Sequence, residues 1–188
     1  MIKEPQELIA NFEKYLSILS KVVSSDSINK IESSFGERLV VAPRSLKLKD
    51  GGYPGALIVF SLSVASNASL MSKHLNNKKS LVKVSLLHEL GRLGDFEQDL
   101  YHSQDSDWHR EKLGQHYKYN EECLRMSISN RTLWLCSSLG INLDQSEYIA
   151  ILTSQGLHLP ENQFYGNMNN PVVVGLQTSR GIVLSTHN

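Results

Sequence analysis

His88 and Glu89 are the residues of this chain whose types and spacing are best suited to chemistry. Leu81, Val84 and Leu87 recur at helical spacing, so a step of four from Val84 sets His88 on or beside a buried helix face, with Arg92 one turn further on. An inward histidine beside a carboxylate is the start of a divalent-metal site, in which Arg92 would serve as a phosphate-binding cation. The alternative is an ordinary ion pair between Glu89 and Arg92, three residues apart on a helix surface. A catalytic metal takes about three protein ligands and keeps an open position for water, and two residues fall short of that. His102, His109 and His116, with Asp95, Asp105 and Asp107, follow in a polar stretch and could extend the shell. Their spacing matches no compact metal motif, and histidines in such a stretch are usually solvated or hydrogen-bonded.

The elements that must position these residues read as mostly helical. Leu8, Ile9, Phe12, Leu16, Leu19 and Val23 repeat at helical spacing after Pro5, an amphipathic helix that ends in the polar run Ser24–Ser27. Residues 38–43 read as a short extended segment. The loop from Asp50 to Gly55 then introduces a long helix through about Leu75, with Phe60 inside it, and a second helix from about Lys79 carries His88 and stops at Gly91 or Gly94. Alternation around Tyr117–Asn120 predicts a small hairpin, where Trp108, Tyr117 and Tyr119 either stack on a ligand or hold down a loop. Three further helices follow: one capped by Ser129 or Asn130, one opened by the capping-box pair Asp144 and Glu147, and one begun by Pro171.

Composition bounds the function classes. With 188 residues the chain can bury a sizeable core, and one domain is expected, with an N-terminal helical segment over 1–35 and a core over 36–188. Lysine plus arginine number 19 and so do aspartate plus glutamate, so no extended nucleic-acid surface is expected, and Lys78–Lys79 is too short a cluster to change that. The first residues lack the apolar core of a signal peptide, and no apolar run reaches the roughly 20 residues of a membrane span. Cys123 and Cys136 are the only cysteines, expected as free thiols in a reducing, cytoplasmic compartment.

From about Leu39 to about Ser185 the chain resembles the HD-domain phosphohydrolases, in particular a compact form of bacteria and their phages. The resemblance rests on residues 51–57 (Gly-Gly-Tyr-Pro-Gly-Ala-Leu), 86–95 (Leu-Leu-His-Glu-Leu-Gly-Arg-Leu-Gly-Asp), 104–108 with 112–114 and 117–120, 131–133 and 147–151, in that order and spacing. It implies an all-α, HD-domain-like helical bundle with a small β-hairpin. That family holds a divalent metal with a histidine on one helix, a His-Asp pair on the next and a distant aspartate. By this resemblance Phe60 stands where the first histidine would be, His88 is kept, Glu89 replaces the aspartate of the pair, and Ser179 falls at the last aspartate. Asn130 and Ser154 fall where many members carry further histidines. The end of the chain at Ser185–Asn188 is short for the family.

Phenylalanine offers no lone pair, serine is a weak neutral ligand, and glutamate lengthens the carboxylate in a site whose ligands need placement within about half an ångström. The expectation is therefore a degenerate member without a cofactor, acting as a binding module for a protein partner or a nucleotide-like ligand, in the cytoplasm or in a host's cytoplasm if phage-encoded. Arg92, Lys112, Lys118 and Arg131 are the candidates for anion binding, because a site stripped of carboxylates is more positive. The alternative is a surviving phosphohydrolase in which His88 and Glu89 hold manganese, iron or magnesium and the metal activates a water.

Overall fold

The computed structural model describes residues 4–75 and 77–186, with backbone alone at 73 and 74; the first three residues and the last two, to which the sequence reading of the chain's ends extends, lie outside them. The chain is mainly helical: α1 (Pro5–Leu19), α2 (Ser25–Val41), α3 (Ala56–Leu75), α4 (Lys78–Leu87), α5 (Asp107–Leu113), α6 (Ile128–Ser138), α7 (Gln145–Leu152) and α8 (Pro171–Ser185), with β1 (Tyr101–Ser103) and β2 (Tyr117–Tyr119) forming one small antiparallel sheet. No helix among the described residues is long and apolar enough to cross a membrane.

The helix α3 is the central element and packs most extensively on α4 and α8. It presents Leu57, Ile58, Phe60, Val64, Ala65 and Ala68 to a core that also takes Tyr15 and Leu19 from α1, so the N-terminal segment shares the apolar cluster of the rest. Burial of these side chains, each contributing about 1.5–3 kcal/mol in the aliphatic and aromatic cases, supplies the driving force that fixes the helix arrangement. The Tyr15 hydroxyl donates to the Leu86 carbonyl at 3.0 Å, tying α1 to the end of α4 beside His88.

Residues 38–43 depart from the extended segment expected of them. The first helix stops at Leu19, short of Val23 and of the polar run expected to end it, and Ser24 of that run instead caps α2, accepting from the Ser27 amide at 3.2 Å. Ile28, Ile31, Phe35 and Leu39 then bury one face of α2 at intervals of three and four, and this periodicity carries the helix to Val41. It stops because Ala42 precedes Pro43, whose ring drives the preceding residue into an extended conformation. Arg38, on α2, donates to the carbonyls of Leu93, Asp95 and Gln98 and pairs with Asp99, fastening the loop that follows the His88 segment.

The expected β-pairing is present, with Tyr101 opposite Tyr119 and Ser103 opposite Tyr117, but the strands are not joined by a tight turn. The unforeseen helix α5 lies between them, capped by Ser106 and closed at Gly114 in a left-handed conformation. Ser127, not Ser129 or Asn130, caps α6. The Asp144–Glu147 capping box and the Pro171 start of α8 stand as read from the sequence.

Between α4 and α6 the chain runs through a 3-10 turn, Leu90–Leu93, and glycine permits the approach. A Cβ on Gly91 would lie 2.4 Å from the Ile128 carbonyl oxygen and 2.9 Å from the Thr132 nitrogen, both backbone atoms that cannot swing aside. Gly91→Ala is expected to lower stability by about 1–3 kcal/mol through forced separation of this turn from α6, measured as a fall in the urea midpoint at unchanged slope.

Candidate functional site: a buried carboxylate among three arginines

His88 is the residue at which α4 ends, and Glu89 adopts a non-helical conformation before the 3-10 turn begins. This break lets two successive side chains point inward, and both are fully buried. Thr132 of α6 holds the break in place: its hydroxyl accepts from the Gly91 amide at 2.9 Å and donates to the His88 carbonyl at 3.3 Å.

Glu89 is the hub. Arg92 donates from Nε to Glu89 Oε2. Arg44, in the loop after α2, places its Nε 3.5 Å from the same oxygen, and Arg180, on α8, brings Nη2 to 3.3 Å from Oε1. Gln155, just beyond α7, donates to Oε1 at 3.2 Å, while its own carbonyl lies 3.3 Å from Arg92 Nη2 and 3.5 Å from Arg180 Nη2. Arg92 is completed by donating to the Tyr101 hydroxyl at 3.0 Å, which links the hub to β1. Three guanidinia around one carboxylate leave a surplus of two positive charges.

Phe60 and His88 form the apolar wall of this centre. The Arg44 guanidinium lies over the Phe60 ring, its carbon 3.8 Å from the centroid, a cation–π seat of the kind worth roughly 2 kcal/mol when desolvated. The Phe60 and His88 rings stand 5.9 Å apart. His88 Nδ1 bonds the Ser85 carbonyl at 2.9 Å; a backbone acceptor there fixes the proton on Nδ1. Nε2 then carries a lone pair, 4.0 Å from Glu89 Oε1 and without a hydrogen-bond partner. The Nε atoms of Arg44 and Arg180 are likewise buried without one.

The electrostatics follow from this packing. Burial opposes ionisation of Glu89, but Arg92 first, then His88, Arg44 and Arg180, hold its carboxyl well below the usual carboxylate range. His88 is pushed down to about 4 by burial, with Arg180 and Arg44 acting in the same sense and Glu89 against it. Burial also pulls the Arg44 guanidinium below its ordinary value, opposed chiefly by Glu89.

A divalent cation at His88 Nε2 would be repelled by Arg180 and Arg44, and the adjacent Glu89 carboxylate is already engaged on both oxygens by guanidinia. The donor set therefore does not fit a metal ion in this arrangement. Among the described residues no group of three or more histidine, cysteine, aspartate or glutamate side chains comes together to hold one. The loop histidines are dispersed: His102 is exposed on β1 and His109 bonds the Ser106 hydroxyl at 2.8 Å. Asp95 uses its carboxylate on the amides of Glu97 and Gln98, at 2.9 and 2.7 Å.

Of the four cations expected to bind anions, the structure brings Arg92 alone into the hub. Lys112 is exposed on α5, and Lys118 pairs with Asp105 at 2.7 Å on the surface. Arg131 is buried on α6, where it donates to the Leu124 carbonyl and lies near Asp95. Ser179 is buried against Met71, its hydroxyl 3.4 Å from the sulfur, and Asn130 is exposed. Ser154 is buried and accepts from Gln155. Arg44, Gln155, Arg180 and Tyr101 complete the site without having been anticipated. Two of them have a trace in the sequence, since Gln155 and Arg180 each follow directly on a position, Ser154 and Ser179, that the family resemblance marks.

No family model, no curated protein and no solved structure matches this chain.

Two outcomes are expected from this geometry. Glu89→Gln leaves three buried guanidinia without their counter-charge and should cost about 3–5 kcal/mol in chemical denaturation. The second concerns pH. The His88 pKa in the folded chain lies below its ordinary 6.5, so the unfolded chain takes up the proton first, and stability present above pH 6.5 is lost as pH falls towards about 4. Glu89, held below its ordinary 4.5, adds a further loss that begins as pH falls through that value and deepens below it. His88→Asn should flatten the denaturation midpoint between pH 6.5 and 4 relative to the parent, read from matched urea titrations.

Proposed function

We propose that this chain is a degenerate HD-domain protein in which an arginine–carboxylate cluster stands in place of the metal centre, and that it acts by binding an anionic, nucleotide-like ligand and not by hydrolysing phosphate esters. The observation that carries the reading is the state of Glu89, the residue at the family's aspartate position, which gives both carboxylate oxygens to guanidinia. The convergence of Phe60 from α3, His88–Glu89 from the end of α4 and Arg180 from α8 supports the placement, since these are the segments that the resemblance marks for metal ligands.

The surplus positive charge gives the ligand its class. A cavity of about 100 Å³ lies beside Arg44, lined also by Lys49, Tyr53 and Phe60, and has room for a phosphate group but not for a nucleoside. Arg44 donates from Nη1 to the Asp50 carbonyl at 2.9 Å and holds its Nε towards Glu89, and exposed Lys49 and Asp50 stand at the same cavity. On the other side of the hub, Arg92 and Tyr101 line a cleft of about 300 Å³ with His102 and Tyr117, within the size range of small-ligand sites. A phosphate-bearing ligand is attracted to a centre that carries two positive charges over its single carboxylate.

A second reading draws on His88, whose Nδ1 is fixed on a backbone carbonyl and whose Nε2 is left bare, the orientation of a metal-ligating histidine. It makes the chain a metal-dependent phosphohydrolase, and it requires the arginines to leave Glu89.

One experiment separates the two. The protein is loaded with manganese and ferrous iron, freed of excess, and subjected to elemental analysis alongside a nucleotide hydrolysis panel. Metal far below one per chain, no turnover, and a rise in Tm with adenosine monophosphate or inorganic phosphate that Lys49→Glu removes are the expected results. Close to one metal per chain and turnover, both lost in His88→Ala, would replace the binding reading with the second.

A further inference from the structure

Away from the arginine cluster, a groove of about 600 Å³ runs between α1 and the α3–α4 pair. Its floor is apolar, formed by Ile18 and Val22 from α1 and the turn after it, Leu62 from α3 and Val82 from α4. Leu70 lies at its edge, 63 % exposed. Four lysines rim it: Lys14 and Lys21 on the α1 side, Lys78 and Lys79 on the α4 side. All four are exposed, and among the described residues none has an ion-pair partner and no acidic residue lines the groove.

The placement of the charges selects the occupant. Lys14 stands on α1 and Lys21 in the turn that follows it, while Lys78 and Lys79 stand at the start of α4. The cationic rim is therefore drawn from two separate elements that flank the apolar floor. A single anionic head group on an alkyl chain satisfies one point of such a rim. Acidic residues on both flanks of an amphipathic helix satisfy lysines on both elements, and apolar residues between them at helical spacing reach the floor. A second copy of this chain meeting the groove through a two-fold contact would set lysine against lysine.

We propose that this groove docks an acidic amphipathic helix of a partner protein, its apolar face on Ile18, Val22, Leu62 and Val82 and its carboxylates on Lys14, Lys21, Lys78 and Lys79. The proposal is independent of the arginine cluster and stands or falls without it.

The test uses the full chain and a labelled helical peptide of about 18 residues, with leucines at i, i+4 and i+7 flanked by glutamates, beside a twin carrying glutamine for glutamate. Fluorescence anisotropy should show saturable binding of the acidic peptide, weakened about tenfold or more in the glutamine twin, and weakened again on raising salt from about 50 to about 300 mM. Lys14→Glu with Lys21→Glu should weaken it by a similar factor. Ser66→Trp, an exposed position on the groove wall, should block it sterically while the Glu89 site and the Tm stay as in the parent. Equal affinity for both peptides, indifference to the lysine and Ser66 variants, displacement of the peptide by oleate at matched concentration, or self-association of the chain that Ser66→Trp abolishes would each overturn it.

Discussion

A fully buried carboxylate is the constraint around which this structure is organised. Removing Glu89 from water costs several kcal/mol, which only close opposite charge and a complete set of donors can offset. Those donors come from parts of the chain that are distant in sequence: Arg44 from the loop behind α2, Arg92 from the 3-10 turn, Gln155 from the end of α7 and Arg180 from α8. The need to satisfy one ion thus fixes the relative placement of four segments, and Tyr101 extends the requirement to the small sheet. Such a cluster is a poor source of net stability compared with apolar packing, but it is intolerant of displacement, because each arm is short and directional.

The apolar core and the charged hub are complementary in this respect. Leu81, Val84 and Leu87 anchor α4 in the apolar core by non-directional burial, and they would tolerate small shifts. The hub adds the directional component at the point where α4 ends. Thr132 and Gly91 transmit it to α6, where the hydroxyl closes a bond on each side of the break. The neutral His88 ring beside Phe60 keeps water from the carboxylate and thereby raises the weight of every charge around it.

What could be read from the sequence was what is local. The Asp144–Glu147 capping box, the Pro171 start and the Gly-rich entry to α3 depend on residues within a turn of one another, and they appear where the sequence put them. The extended reading of 38–43 failed because a β-branched run before a proline looks like a strand unless the periodicity from Ile28 to Leu39 is followed to its end. The helix α5 was hidden in a polar stretch without apolar rhythm. At the site, His88 and Glu89 were legible since they follow a periodic helix, whereas Arg44 carries no periodic signal, and Gln155 and Arg180 sit one residue beyond the positions that drew attention. Convergence from remote segments leaves no spacing to detect. Arg131, equally plausible by type, is turned to another partner by the helix that carries it.

The hub also bears on how such a chain can change over generations. A carboxylate shared by three guanidinia has no neutral single-step neighbour: losing the anion strands three cations, and losing one arginine loosens the screen around an ion that cannot leave the interior. Phe60 deepens the commitment, because an imidazole in its place would exchange the apolar ring face on which Arg44 rests for a polar, protonatable one. Substitutions here are coupled, so a change at any one of these charged residues alters what the others must satisfy.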